Sequence, residues 1–391
     1  MNRSVKSALK IIIPLLAAAA LLASCATPPA APTAAQVTAT LQPAESPVAF
    51  ATITPAPSAT TEPTLAPTET APVPTADVGA FKNLAYRIPG LGQTFPETGG
   101  SVQLTDGVFD LPIANSSASL HVELLKGVSG DLNGDGVQDG AVVLVMESGG
   151  SGSFRYLATL LNQDGALVNN STSLLGDRVQ VDNITVDGGA VFLALTTHAP
   201  GDPQCCPTQE ENAVYALIDN VLAPRGMAEA ARQALKGVQA LRDKDMAALA
   251  ALALPGEGIR FSPYAYVRPE DLVFTPELVS KLMDDPTLYT WGAFDGSGEP
   301  IQMAYPDYHT RFVYSSDFAN ADQVSFNQRI GVGNSIDNSQ EFYPGSVVVE
   351  FFVAPKDPQY GGMDWQSLRL VMVPEGDNWY ITGIIHDEWT T

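Results

Sequence analysis

An alternating run of acidic and amide side chains in a glycine-rich loop is the clearest chemical feature of this 391-residue sequence. The oxygen donors of the run are Asp131, Asn133, Asp135, the backbone carbonyl of Val137, and Asp139. Side-chain oxygens at alternate positions converge on one hard cation, and Gly136 permits the sharp turn that brings the next carbonyl to it. These residues predict a structural calcium ion. A solvated turn without metal and a catalytic metal are the alternatives.

The residues after this loop indicate which kind of calcium loop it is. Val142 occupies the twelfth position, where an EF-hand has a bidentate glutamate, and a strand-like apolar run surrounds it. The segment therefore resembles the calcium loops of FG-GAP-type β repeats and, more distantly, those of dockerins. The resemblance implies an ion that neutralises converging carboxylates and fixes a turn between strands. Asp110 or Glu147 is a candidate for one further ligand.

Two adjacent cysteines form a second feature with chemical potential. Cys205 and Cys206 lie in a proline-rich loop that begins at His198. In an oxidising compartment the two thiols form a vicinal disulfide, which acts as a redox group or as a rigid ligand-contacting turn. A metal site that adds His198 and Asp202 is one alternative. The other is a loop in which both cysteines pack as small apolar residues.

Residues 1–24 have the pattern of a secretory signal peptide, with a basic start and an apolar run too short to span a bilayer. The run ends in Leu22-Ala23-Ser24-Cys25, which resembles the lipobox of bacterial lipoproteins. The resemblance implies cleavage before Cys25 and acyl chains such as palmitate attached there. The partner would then be a membrane, with the chain anchored by lipid on the extracytoplasmic side of the cell envelope. An ordinary signal peptide with a chance cysteine is the alternative.

The composition changes twice along the chain. Residues 25–77 are rich in Pro, Thr and Ala and nearly free of charge, which predicts a disordered, extended stalk. Globular composition follows, and the sequence predicts a multi-domain protein with a mostly-β antiparallel domain followed by an α+β cone-like domain. The predicted domains are a signal peptide (1–24), a lipid-anchored stalk (25–77), a mostly-β domain (78–222) and an α+β domain (223–391).

The charge balance excludes one class of partner. The formal net charge is −23, with 20 Lys and Arg against 43 Asp and Glu. Phosphate binding requires clustered basic residues, so we expect no nucleic-acid partner. The sequence also lacks a Gly-x-Ser-x-Gly elbow, a P-loop, a dinucleotide fingerprint and a His-Glu-x-x-His motif. This removes the commonest hydrolase, nucleotide-binding and zinc-protease classes.

Alternating apolar residues separated by Asp-Gly turns predict that the first domain is a sandwich or a strongly curved sheet. The loops with the acidic residues and the cysteines would connect strands of this domain. The predicted strands of this domain are 101–105, 108–112, 118–126, 141–147, 154–162, 177–185, 190–197 and 212–219.

The second domain begins with two helices, from Met227 to Leu241 and then to about Leu254. A further helix is predicted from Pro276 to Met283, with Thr275 as its cap. The predicted strands are 310–314, 322–330, 346–353, 366–373 and 378–386.

This order of elements resembles the ketosteroid-isomerase-like (nuclear transport factor 2-like) cone, in which a curved sheet wraps round a helix and leaves a pocket. The segments that carry the resemblance are 240–249, 258–261, Arg369-Leu370 and Trp379-Tyr380-Ile381. Members of this fold family include isomerases, dehydratases and hydrolases as well as proteins that only bind.

The resemblance implies a pocket with an Asp or His base and a Tyr donor. Candidates are Tyr264, Tyr266, Asp307, Tyr308, His309, Glu350, Arg369, His386, Asp387 and Glu388. Asp307, His309 and His386 are the weak catalytic candidates. On a strand, Asp307 and His309 would share one face. Glu350 and Arg369 are predicted to pair across neighbouring strands.

Two functions remain open. The first is a surface-anchored lipoprotein whose calcium-stabilised domains act as a non-catalytic module that binds a protein or a small molecule. The alternative is an extracytoplasmic ketosteroid-isomerase-like enzyme that acts on a small molecule. A cavity with a buried carboxylate and a facing tyrosine favours the enzyme, and a filled core with exposed apolar residues favours binding.

Overall fold

The computed structural model describes residues 78–390, all within one compact unit. The segments predicted as signal peptide (1–24) and stalk (25–77), including Cys25, lie outside the described residues, so these predictions stay predictions. The described chain is mostly β, with 43% strand and 20% helix. Its sheets are antiparallel except for one strand pair, which confirms the predicted antiparallel, mostly-β character.

The first half consists of a five-stranded, a four-stranded and a two-stranded sheet. Its elements are β1 (Ala85–Arg87), α1 (Leu91–Thr94), β2 (Ser101–Gln103), β3 (Val108–Pro112), β4 (Ser119–Gly130), β5 (Asp139–Glu147), β6 (Phe154–Gln163), β7 (Ala166–Asp177), β8 (Gln180–Asp187), β9 (Ala190–Thr197), β10 (Gln209–Ile218) and β11 (Val221–Pro224). The strand orders are β3-β4-β5-β6-β7, β11-β10-β9-β8 and β1-β2.

The five-stranded sheet is the middle layer of this half. Along β5, alternate side chains enter two different cores because successive residues point to opposite faces. Val142 packs in a cluster with Tyr86 of the N-terminal segment, whereas Val143 packs in a cluster with Leu193 of the four-stranded sheet. Burial of β5 on both faces explains its continuous apolar run.

The second half contains a helix packed against a six-stranded sheet. Its elements are α2 (Ala228–Asp243), α3 (Met246–Leu252), β12 (Ile259–Ser262), β13 (Val273–Phe274), α4 (Pro276–Val279), β14 (Tyr289–Ala293), β15 (Pro300–Met303), α5 (Tyr305–Tyr308), β16 (Gln323–Phe326), α6 (Ser339–Phe342), β17 (Val347–Val353), β18 (Gln366–Glu375) and β19 (Asn378–Glu388). The sheet has the order β13-β12-β19-β18-β17-β16, and β14 pairs with β15 separately.

Helix α2 lies close to the sheet because Gly237 has no side chain at the contact. A Cβ atom at this position would lie 2.6 Å from Cδ1 of Ile381 on β19. The apolar face of the helix, including Ala234 and Leu241, is buried in the same cluster as the sheet residues Leu370 and Ile381. The helix therefore forms one wall of the core of the second half.

Two predicted elements of the second half are wrong or shorter than expected. The predicted strand 310–314 is instead a π-helical turn over His309–Val313 that continues α5. The predicted helix from Pro276 to Met283 ends at Val279, and Leu282–Asp284 forms a separate 3₁₀ turn. Thr275 does precede this helix, but its side chain makes no capping hydrogen bond.

The two halves share packing across the sequence boundary predicted between residues 222 and 223. Strand β11 crosses that position, and Ile218 and Ala223 belong to the core cluster of the second half. Further along, Gln328 Nε2 donates to the Leu174 carbonyl at 2.9 Å.

Candidate functional site

An open cleft of about 550 Å³ lies in the second half, between loops 263–271, 292–298 and 334–336. A volume of this size is typical of small-molecule sites. The aromatic residues of its lining are Tyr264, Tyr266 and Phe294, and the polar ones include Arg268, Asp271, Asp295 and Asn334. The structure thus brings together two tyrosines predicted as pocket residues with polar groups that were not predicted.

Asp271 is the carboxylate of the cleft that is most shielded from water. It is 7% exposed. Its Oδ2 accepts hydrogen bonds from Ser262 Oγ at 2.5 Å and from the Arg268 amide at 2.9 Å. Among the described residues, no donor bonds to its Oδ1. Burial raises the pKa of this carboxyl, while the backbone and hydroxyl donors and the charges of Arg260 and Arg268 partly offset the rise.

Tyr264 and Tyr266 present different surfaces to the cleft. The Tyr264 hydroxyl accepts a hydrogen bond from the Asp295 amide at 3.2 Å, and burial raises the pKa of this tyrosine. Its ring packs edge-on against Phe312, with centroids 5.7 Å apart. Tyr266 is 49% exposed. An exposed aromatic ring at the rim of a cleft is a common feature of binding surfaces.

The first loop of the cleft, 263–271, is held by two side chains that do not themselves line the cleft. Asn338 bonds to Val267 twice: its Nδ2 donates to the Val267 carbonyl at 3.0 Å, and its Oδ1 accepts from the Val267 amide at 2.7 Å. His386 Nδ1 donates to the Pro263 carbonyl at 3.3 Å. The first loop of the cleft is therefore fixed at two points.

A buried charge network supports the loop 327–338. Glu350 and Arg369 are direct partners on β17 and β18, and both are 1% exposed, which confirms the predicted cross-strand pair. Glu350 accepts the amides of Ile330 and Gly331 at 2.6 and 3.0 Å. Arg369 also donates to Asp387.

Asp387 connects the same network to the wall of the cleft. It accepts a hydrogen bond from Arg329 Nη2 at 2.7 Å and one from Ser335 Oγ at 3.2 Å. Ser335 lines the cleft. These buried charges therefore stabilise a loop, and each predicted pocket residue among them has a structural partner.

The three weak catalytic candidates do not line this cleft. Asp307 is exposed on α5. His309 is 2% exposed, and its Nε2 donates to the Leu241 carbonyl at 3.0 Å. The expectation that Asp307 and His309 share a strand face is wrong, because this segment is helical.

His386 is fully buried, and its ring is held on both sides. Its Nδ1 bonds to Pro263, and its Nε2 lies 3.2 Å from Ser315 Oγ. Burial lowers the pKa of His386 and of His309, so both rings are neutral supports of the fold at neutral pH.

The interior of the second half is filled by aromatic rings. Trp291 stacks on Tyr308 with centroids 3.8 Å apart, and Phe261 contacts both in edge-to-face geometry. Tyr305 completes the cluster, and it is fully buried. Ligand-sized space in this half therefore lies at the surface, in the open cleft and in a second cavity of about 550 Å³ beside Leu254, Phe342 and Tyr343.

The predicted calcium loop is an exposed turn between β4 and β5. Asp131 accepts the amides of Gly134 and Gly136 at 2.7 and 2.9 Å, and Asp135 Oδ1 accepts the amide of Val137 at 2.7 Å. The donor set consists of oxygens only, which suits a hard cation. Within residues 78–390, no group of three or more His, Cys, Asp and Glu side chains is arranged to hold a metal.

Asp139, at the end of this loop, is 1% exposed. Its two oxygens accept the amides of Leu132 and Asn162, each at 2.9 Å. The suggestion of a further ligand is wrong: β5 separates Glu147 from the loop, and Asp110 pairs with His121 beside Glu147.

Cys205 and Cys206 form a vicinal disulfide in an exposed loop. Asp202 accepts the amides of Ala199 and Thr208 at 2.8 and 2.9 Å, and these hydrogen bonds lower the pKa of its carboxyl. His198 Nε2 donates to the Gln204 carbonyl at 3.1 Å. Because both side chains stabilise the loop itself, this geometry favours a rigid turn over a metal site.

Comparison of the chain with protein-family models, with curated proteins and with solved structures finds no match. Across the described part of the chain, no helix combines the length and apolar character needed to cross a membrane.

Sequence reasoning missed Asp271, Asp295 and Asn334 as residues of the cleft. Asp271 follows Arg268-Pro269-Glu270, a charged stretch typical of a solvated loop. Its proximity to Tyr264 and Tyr266 in the sequence was the one signal available.

Proposed function

We propose that this protein is a cell-surface, lipid-anchored lipoprotein whose folded part is a non-catalytic binding module, and that the cleft around Asp271 is its binding site. The observation that supports it is a nearly buried carboxylate with one free oxygen in an aromatic-lined cleft. Oδ1 is not one of the unpaired polar atoms sealed from solvent, so it remains accessible as an acceptor for a ligand in a concave site.

The anchor is proposed from the lipobox-like residues that end at Cys25. In this arrangement the stalk 25–77 holds the binding module away from the membrane. Cys25→Ser should release the protein from membrane fractions into the soluble fraction, because the acylated thiol is lost. Retention of the variant in the membrane would contradict the anchor.

The loop 131–139 is proposed to hold a structural calcium ion. Its all-oxygen donor set and the exposure of Asp135 support this proposal. Bound calcium should stabilise the full chain by about 2.7 kcal/mol when free calcium exceeds its Kd a hundred-fold. This stabilisation should appear as a rise in melting temperature when calcium is added. Asp135→Asn should abolish that rise, whereas Asp164→Asn, in another exposed turn, should keep it. An equal response of both variants to calcium and to chelator would contradict the proposal.

Residues 223–390 are proposed to form a ketosteroid-isomerase-like cone, a proposal supported by the packing of α2 on the six-stranded sheet. One observation supports the alternative that this protein is an enzyme. Asp271 has a pKa raised by burial, and Tyr264 shares the same cleft. A desolvated carboxylate beside a tyrosine is an arrangement used for proton transfer. In that alternative Asp271, rather than Asp307, His309 or His386, is the base.

A mixed panel of amines, sugars, carboxylates and aromatic alcohols distinguishes the two functions. Saturation-transfer NMR on the full chain in a maltoside detergent measures binding, and the same samples followed over days measure turnover. Binding without turnover, lost in Tyr266→Ala and retained in Tyr360→Ala, supports the module. The two tyrosines are matched controls because they are 49% and 51% exposed. Turnover abolished by Asp271→Asn would establish the enzyme instead, and binding unaffected by Tyr266→Ala would exclude this cleft.

A further inference from the structure

Asp271 is a buried carboxylate without a direct ion-pair partner. No Lys, Arg or His nitrogen of the described residues lies within 4.0 Å of it. Carboxylates are almost never fully buried unless they are paired. By contrast, the buried carboxylates Glu350 and Asp387 both reach an arginine. Asp271 is therefore the exception among the buried carboxylates of this half.

The arginines nearest to Asp271 are used elsewhere or face water. The Nη1 of Arg260 donates to the carbonyls of Arg268, Pro269 and Asp271 at 3.2, 2.9 and 2.7 Å. Its guanidinium also lies over the ring of Phe342, 5.2 Å from the centroid. Arg268 is exposed at the rim. Neither arginine contacts the carboxylate directly, and their positive charges act on Asp271 only from a longer distance.

Apart from Arg268 at the rim, the other walls of the cleft also suit a positive charge. Asp295 supplies a second carboxylate, and it lines the cleft with Tyr264, Tyr266 and Phe294. Aromatic faces attract cations through their quadrupoles, most strongly where water is excluded. With 550 Å³ of space, the cleft is also far larger than a single metal ion needs.

We infer that the cleft binds an organic cation, a primary amine or a quaternary ammonium, whose charge is neutralised by Asp271. This inference rests on the proposed binding function and specifies its ligand class. The free Oδ1 supplies the acceptor for an ammonium N–H or the counter-charge for a quaternary nitrogen. The aromatic residues supply the remaining contacts, with Tyr266 at the open side.

Matched pairs of probes test the charge directly. Choline is compared with its neutral isostere 3,3-dimethylbutan-1-ol, and cyclohexylamine with cyclohexanol. Titration calorimetry on the full chain in a maltoside detergent, which carries no choline group, gives the Kd of each compound. At least one cation should bind about ten-fold or more tightly than its neutral partner, because only the cation gives Asp271 a direct ion-pair partner.

Variants assign the effect to one side chain. Asp271→Asn should reduce cation affinity about ten-fold or more and leave neutral compounds unchanged. Because an asparagine oxygen still accepts from Ser262 and Arg268, this variant should fold, which its melting curve checks. Glu270→Gln removes the same charge from the neighbouring exposed position and should change nothing.

Three results would overturn the inference: equal affinity for a cation and its isostere, no effect of Asp271→Asn, or no saturable cation binding up to millimolar concentration. The proposed binding function fails separately. If neutral compounds of the panel bind and Tyr266→Ala abolishes that binding, the cleft stands as a binding site while the cation inference is wrong. If no compound responds to Tyr266→Ala, the cleft itself is excluded.

Discussion

Replacing Asp387 with asparagine removes the negative charge that Arg369 and Arg329 share beneath the loop 327–338. The carboxylate accepts hydrogen bonds from both arginines, and the one from Arg329 is 2.7 Å long. Since Arg369 is 1% exposed, water does not replace the lost partner. Glu350 and Asp337 remain, with oxygens 3.7 and 3.4 Å from the guanidinium.

Breaking a buried ion pair on one side costs about 3–5 kcal/mol. The two remaining carboxylates place the expected loss at the lower end, about 3 kcal/mol. For a cooperative unit of about 300 residues, with an unfolding entropy of about 2.1 cal/mol/K per residue, this corresponds to a drop of about 5 °C in melting temperature. Differential scanning calorimetry measures that drop. Hydrogen exchange should show faster exchange at the amides of Ile330 and Gly331, which depend on the same network.

Asp243→Asn is the matched control for this substitution. Asp243 receives two hydrogen bonds from Arg242, at 2.8 and 2.9 Å, but the pair is exposed. Exposed pairs contribute little because water and salt screen them. The control should therefore leave the melting temperature nearly unchanged. An equal effect of the two substitutions would refute the idea that burial of the network holds the loop.

Two further predictions concern the same half of the molecule. Gly331→Ala should destabilise the loop 327–338, because a Cβ atom there would lie 2.4 Å from the ring of Trp365. Gly150→Ala is the control and should leave the stability unchanged, because a Cβ atom there would meet nothing within 4 Å. Chemical denaturation of the two variants measures the difference in their free energies of unfolding. The protein should lose stability as the pH falls below about 6.5, because burial lowers the folded-state pKa of His309 and His386 and the unfolded chain then binds more protons. His309→Gln keeps a donor for the Leu241 carbonyl and should reduce this pH dependence in melting curves. A pH dependence identical to that of the parent would show that His309 does not contribute.

Elements defined by local chemistry could be predicted from the sequence. The Asp106-Gly107 and Asp164-Gly165 turns have positive φ at both residues, as the Asp-Gly pairs indicate, and each follows a strand that begins where expected. By contrast, β7 was missed because its polar run of Asn, Ser and Thr residues shows no apolar alternation. Its polar side chains bond to neighbouring segments: Asn169 Oδ1 accepts the Arg87 amide, Asn170 Nδ2 donates to the Asn220 carbonyl, and Ser171 Oγ accepts the Leu222 amide.

The site was harder to predict than the fold. Glu350 and Arg369 were found because strand register alone makes them neighbours. Asp271 was missed because its burial depends on Ser262, on the loop 334–336 and on the rest of the six-stranded sheet, which are distant or unremarkable in sequence. The π-helical turn at His309–Val313 was missed for a related reason. Its apolar pattern over four or five residues fits a strand and a helix equally well, and tertiary packing decides.

The position of β19 within its sheet also determines the order in which this protein can fold. β19 pairs with β12 on one side and with β18 on the other, so that Arg260 and Leu370 both depend on residues 383–384. Until those residues leave the ribosome, β12 and β18 have no common neighbour, and each exposes an unpaired edge. Strand pairs between residues so far apart in the sequence form slowly. Folding of the second half is therefore a late event that follows synthesis of nearly all of its strands.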